Sequence, residues 1–182
     1  MSAGRSRAAT GTGGDARGLR MLVLRSTFNA SVGDGLLAGA QEALRAMGAR
    51  AEDVKVLDVP GAFELPLAAA AAAESGRYDA IVALGAVIRG ETDHYEHIAR
   101  EASAGLAAVA RVLGVPVGFG VLTVRDEAQA RARSAAGPGN KGAEAARAAV
   151  AMARLLSSLG RPGVTARRRG RRAAARRSRK II

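Results

Sequence analysis

From Leu19 onward, short apolar runs alternate with longer stretches whose apolar residues recur at helical spacing. Residues 19–25 (LRMLVLR) predict a first strand, and 32–47 (VGDGLLAGAQEALRAM) predict a helix that Gly48 stops. A second strand is expected over 54–59. Pro60-Gly61 turns the chain there, and the alanine-rich stretch 63–74 reads as a helix in which Pro66 is tolerable only within the first turn. Residues 79–88 (DAIVALGAVI) are apolar and partly β-branched, long enough for a strand buried on both faces. Gly90 breaks that run, and a long helix is expected over 92–113, with Thr92 as its cap. After Gly114 come a fourth strand over 115–123 and helical stretches near 126–134 and 142–159, separated by AAGPGN. No internal repeat is visible.

Strands alternating with helices imply right-handed crossovers and a parallel sheet covered on both faces, hence a three-layer α/β/α sandwich. Ligands of such sheets lie beyond the carboxyl ends of the strands, so chemistry is expected in the segments just after each strand.

The formal net charge of +12 suggests a nucleic-acid partner until it is divided along the chain. Residues 161–182 hold ten Lys or Arg and no acid, and residues 1–20 hold four Arg against Asp15, which leaves the 140 residues between them at −1. The tail reads as a solvated, disordered Arg-rich arm, able to touch RNA or an acidic surface by simple electrostatics. It has no aromatic residue on which bases could stack, so such polyanion contact is expected to be non-specific, and a functionless extension is the other reading. The chain has no cysteine, which excludes a disulfide framework and Cys-based metal sites. His94 and His97 are three apart, but no carboxylate pattern around them forms a zinc or iron motif, and neither metal nor cofactor is expected. No window of 18 apolar residues could span a bilayer. The start lacks an apolar signal core, so residues 1–18 are expected to be a flexible leader, 19–160 one domain, and the whole protein cytoplasmic with no membrane partner.

The strand ends concentrate unusual residues. After the first strand come Thr27, Phe28 and Asn29; after the second, PGAFE with Phe63 and Glu64; after the third, RGETDH; and near the end of the fourth, Phe119. In the stretch 85–97 (GAVIRGETDHYEH), a helix start with unpaired N–H groups favours a phosphate, and His94 sits in the same turn. An imidazole exchanges protons near neutral pH. Farther on, Arg133 and Lys141 flank the GPGN turn, and Arg is the preferred fork for a phosphate. Aromatic faces, a carboxylate, an amide, an anion-favouring helix start and an imidazole together suit a flat polar heterocycle beside a phosphate. Taken singly, each phenylalanine could equally be core packing, and Glu64, Arg133 and Lys141 solvated charges.

The combination of Phe28-Asn29, VPGAFELP at 59–66, ALGAVIRGETDHYEHI at 83–98, VPVGFGVLT at 115–123 and GNKGAEAA at 139–146 closely resembles the lumazine synthase family, over roughly residues 19–159. The resemblance implies a four-stranded parallel, flavodoxin-like sheet and a cofactor-free condensation. Its substrates would be 5-amino-6-ribitylamino-uracil and 3,4-dihydroxy-2-butanone 4-phosphate, and its product 6,7-dimethyl-8-ribityllumazine, the penultimate step of riboflavin biosynthesis. It further implies that Phe28 stacks on the uracil with Asn29 nearby. Ala62, Phe63 and Glu64 would meet the pyrimidine and ribityl chain. Gly90, Glu91 and Thr92 would hold the phosphate with Arg133, and His94 would be the general acid and base. Phe119, Lys141 and Arg133 would come from the neighbouring subunit of a homo-pentamer. Thr27 stands where the family usually has Arg, and the Arg-rich tail also departs from it.

A related archaeal riboflavin synthase would use the same fold on two lumazines without a phosphate site, which the RGETDH loop and Arg133 argue against. A shell-forming or RNA-associated protein is the alternative from another class. The uninterrupted turn RSAAGPGNK at 133–141 implies, within the family, closure of twelve pentamers into a sixty-subunit icosahedral shell.

Overall fold

The computed structural model describes residues 14–160; residues 1–13 and the Arg-rich stretch 161–182 lie outside the described residues. Strands β1 (Met21–Ser26), β2 (Val54–Val59), β3 (Ala80–Ile88) and β4 (Val117–Val124) form one parallel sheet in the order β2-β1-β3-β4. Met21 stands opposite Val54 and Ala80, and Ile81 opposite Val117. Helices α1 (Ala30–Ala46), α2 (Leu65–Glu74) and α3 (His94–Leu113) supply the crossovers, and α4 (Glu127–Ser134) and α5 (Lys141–Ser158) follow β4.

Side chains alternate across a strand, so each strand feeds two cores. Met21, Val23, Val82 and Leu84 turn to one face, where they meet Leu36 and Leu44 of α1 and Ala146 and Val150 of α5. Leu22, Leu24, Ile81 and Ala83 turn to the other, against Leu65 and Ala69 of α2 and Ala102 and Leu106 of α3. This is the three-layer α/β/α sandwich that the sequence pattern implies. Truncating Leu22, which is wholly buried, would cost about 2–5 kcal/mol. Leu57, on the edge strand β2, is exposed and has far less to lose.

Element limits move where hydrogen bonds across the sheet override local composition. β1 begins at Met21 rather than residue 19 and ends at Ser26, while the pairing continues through Thr27 N–H to Val59 O (2.9 Å) and Phe28 N–H to Pro60 O (3.1 Å). β4 extends to Val124 because that residue stands opposite Ile88. α2 starts at Leu65 rather than 63, which leaves Phe63 and Glu64 in the turn before it. The expected cap at Thr92 is corrected: α3 begins at His94, Asp93 occupies the cap position, and no side chain caps it. Thr92 lies one residue too early, in an exposed bend, for its hydroxyl to serve the first turn. A 3₁₀ turn, Ala51–Asp53, precedes β2 and is steadied by Arg50 Nε donating to Asp53 Oδ2 at 2.7 Å.

Of the segment expected as a flexible leader, residues 14–18 are held in place. Ala16 is fully buried and its N–H donates to Met47 O at 2.8 Å. The Arg154 guanidinium of α5 donates to the carbonyls of Asp15 and Arg17. Asp15 also accepts hydrogen bonds from Arg17, which hold its carboxyl down to about 2.

Candidate active site

β2 lies on one side of β1 and β3 on the other, so the crossover direction reverses between β1 and β3. The crevice beyond the carboxyl ends at such a switch point is the expected ligand position. Three rims meet there. The β1 rim ends in Asn29 at φ 59° and ψ 51°, the one non-glycine residue with positive φ among the described residues. Asparagine tolerates this left-handed region because its short polar side chain bonds locally; here Nδ2 donates to Ala86 O of β3 at 3.0 Å. The strained turn thereby ties the β1 rim to the β3 rim and leaves Phe28 projecting, 70% exposed.

The β2 rim contributes the turn Gly61–Glu64. A Cβ on Gly61 would lie 2.9 Å from Glu64 Oε2, so the absence of a side chain lets the carboxylate fold back over the turn. Phe63 stands outward at 55% exposure. The β3 rim runs through Arg89 and Gly90 into the start of α3. Arg89 N–H donates to Val124 O at 2.9 Å, and its guanidinium lies over the Tyr95 ring, 5.8 Å from the centroid. Tyr95 in turn donates to Glu96 at 3.0 Å, and that bond pushes its phenol above the ordinary range.

These rims enclose a cavity of about 340 Å³. Phe28, Asn29, Ala62, Phe63, Glu64, Gly90, Thr92 and His94 all line it. Glu91 is exposed on the same loop and is not among the lining residues. His97 is also absent from the lining, and its Nδ1 lies 2.8 Å from an Arg100 guanidinium nitrogen.

Phe119, Arg133 and Lys141 stand elsewhere. They line a groove of about 470 Å³ along β4, the edge strand, under the turn between α4 and α5. Arg133 donates to Gln129 O at 3.1 Å, and Lys141 pairs with Glu144 at 2.5 Å. One chain therefore gathers Phe28, Phe63, the carboxylate and the imidazole in one place and Phe119 with the two cations in another. Among the described residues, no three His, Asp or Glu side chains converge as ligands for a metal ion.

The family model for 6,7-dimethyl-8-ribityllumazine synthase matches residues 18–157. Proteins named 6,7-dimethyl-8-ribityllumazine synthase from two strains of Nitratidesulfovibrio vulgaris, DP4 and Hildenborough, are each 45% identical over 145 residues, covering 80% of this chain and 93% of theirs. The chain belongs to the lumazine synthase family.

As a lumazine synthase family member, the chain has further cavity and support residues that the strand-end motifs alone do not single out. Tyr95 and Ile98 line the cavity beside His94. Their signal is helical spacing, since 98 lies four residues from 94 and three from 95, which puts them on one face of α3 beside the 89–93 loop. Arg89 braces that loop through Tyr95. Asn140 has no such local signal beyond its place before α5, yet its amide joins α1, α4 and α5.

Proposed function

We propose that this chain makes 6,7-dimethyl-8-ribityllumazine, as its family does, in a site completed between two copies. The supporting observation is the separation within one chain of the His94 cavity from the groove that holds Arg133 and Lys141. A dianionic substrate reacting beside His94 needs nearby cations, and a second copy laid with its β4 edge against the cavity supplies them.

In this reading Phe28 stacks on the uracil ring, with Asn29 at its edge. Ala62 and Phe63 hold the pyrimidine, Glu64 accepts hydrogen bonds from ribityl hydroxyls, and Phe119 and Lys141 of the neighbouring copy close the opposite side. The N–H groups of Gly90, Glu91 and Thr92, on the loop that leads into α3, bind the phosphate with the neighbour's Arg133. The substrate amine is the nucleophile, so the protein aligns two reactants and moves protons. The amine attacks the ketone and water leaves as the imine forms. Loss of a proton from the adjacent carbon expels phosphate, and the resulting enol becomes a ketone. The ribityl-bearing nitrogen then closes the ring and a second water leaves. His94 gives and takes the protons of these steps.

The copies form a homo-pentamer, and twelve pentamers close into a hollow sixty-subunit shell. The short turn between α4 and α5 and the exposed Leu67, Val112, Met152, Leu155 and Leu159 support further association. Closed symmetry requires one repeated interface geometry, which Pro138 helps to hold by fixing its own φ. Any contact of the Arg-rich stretch 161–182 with polyanions is non-specific. No helix among the described residues is long and apolar enough to cross a membrane, and we place the reaction in the cytoplasm. Light scattering and specific activity measured together over a dilution series test this reading. Activity should follow the assembled fraction and vanish in monomers; full activity in a monomeric population would contradict it.

A further inference from the structure

Arg133 is the penultimate residue of α4 and Lys141 the first of α5. Both helix ends depend on one side chain between them. Asn140 is 1% exposed, and its Oδ1 accepts the Ala143 N–H at 3.0 Å, capping α5. Its Nδ2 donates to Ser134 O at 2.8 Å and Ala135 O at 3.1 Å, carbonyls that the end of α4 leaves without helical partners. It also donates to Gly35 O of α1 at 3.0 Å. Three carbonyls converge on two N–H groups, so the amide is fully used.

Three glycines make room for this junction. A Cβ on Gly39 would lie 2.1 Å from Asn140 Oδ1, one on Gly35 2.5 Å from Ser134 O, and one on Gly142 1.9 Å from Leu36 O. Arg133, by contrast, is exposed, and its guanidinium donates to Gln129 O on its own helix, so its backbone position determines where the guanidinium can reach.

We propose that Asn140 is a positioning residue for the reaction, setting the distance and angle between Arg133 and Lys141 so that both cations meet the substrates. This role rests on the assignment of Arg133 to the phosphate under Proposed function. It touches no substrate. Two cations on separate helix ends keep a fixed spacing only if something rigid joins the ends, and a buried, fully bonded amide meets that need.

Asn140→Asp tests the idea with almost no change in shape. The carboxylate still caps α5, since Asp and Asn serve equally there, but it repels the three carbonyls. Asn140→Ser keeps a capping oxygen and has no amide donors. Both variants, with Arg133→Ala in parallel, are assayed for KM of each substrate separately and for kcat. The expected result is a rise on the order of tenfold in KM for the phosphorylated butanone, with KM for the uracil substrate changed less than about threefold, because the retained capping oxygen keeps Lys141 in place at the start of α5 while the lost amide donors release the end of α4 that carries Arg133. Lower stability with both KM values unchanged, equal rises in both, or failure of both Asn140 variants to fold would show a structural role and overturn the proposal. If Arg133→Ala leaves the butanone KM unmoved, its assignment to the phosphate fails and carries the Asn140 role with it. A shift at Arg133→Ala without one at Asn140→Asp overturns the positioning role alone.

Discussion

Around the cavity beyond β1 and β3, side chains stand on loops held by main-chain bonds between neighbouring rims: Thr27 to Val59, Phe28 to Pro60, Arg89 to Val124. Along β4 the cations stand on helix ends held by one buried amide. The first region presents Phe28, Phe63, a carboxylate and an imidazole; the second presents positive charge beside Phe119. A site that used both would recognise the flat heterocycle mainly from one chain and the leaving phosphate partly from the other. Substitutions in the two regions should therefore fail in different ways.

The largest contrast lies within the cavity. His94→Ala should lower turnover by about 10²- to 10⁴-fold, the usual contribution of a proton-transfer group, with little change in either KM. His97→Ala should stay close to the unmodified enzyme, because that ring is paired with Arg100 outside the cavity lining. Steady-state rates of the two variants check this, and equal losses would remove the assignment of His94.

The next effects separate the two regions directly. Arg133→Ala should raise KM for the phosphorylated butanone by roughly ten- to a hundredfold, corresponding to about 1.5–3 kcal/mol for a lost charge-assisted bond. Phe28→Ala should instead raise KM for the uracil substrate, by roughly five- to a hundredfold if its ring carries a stacked base worth about 1–3 kcal/mol. Measured on both variants, crossed patterns are expected, each region serving mainly one substrate, and parallel losses of both affinities at either position would contradict that division.

The same difference explains what the sequence made legible. β2 spans Val54–Val59 as its pattern predicts, and the rims of β1, β2 and β3 each follow directly from a strand, so residues such as Phe28, Glu64 and His94 could be found by reading along the chain. The start of α3 could not be placed from composition, since Thr92 and Asp93 are both good caps and only the backbone geometry chooses between them. Asn140 is harder still. Its partner Gly35 lies 105 residues away, and the glycines that admit the amide look like ordinary weak points of a helix until the helices are packed. Local chemistry shows in a motif; a support that works across helices shows only in three dimensions.

A smaller effect concerns the base of the β1 rim. Arg25 forks onto Asp58 at 2.9 and 2.7 Å and also bonds Asp34. The hydrogen bond from Arg25 holds the Asp58 carboxyl below its usual range. A carboxyl depressed by folding stabilises the fold above its unfolded value, near pH 4, and that contribution is lost as pH falls through the lower folded value. Asp58 is about half exposed, so water and salt reduce the contribution to at most about 1 kcal/mol. Asp58→Asn should thus lower the denaturant midpoint slightly at pH 7, and the gap should close as pH drops below about 4. A gap that persists undiminished at pH 2 would contradict this.

The cavity and the β4 groove should act together across two chains. Phe28→Ala and Arg133→Ala proteins, each weakly active alone, can be unfolded, mixed in equal amounts and reassembled. Sites formed from the intact cavity of one chain and the intact groove of the other should then restore a substantial part of the unmodified activity. Reassembled mixtures, confirmed as mixed oligomers by mass, that stay at the level of the single variants would place both surfaces in the same chain's site and contradict the claim.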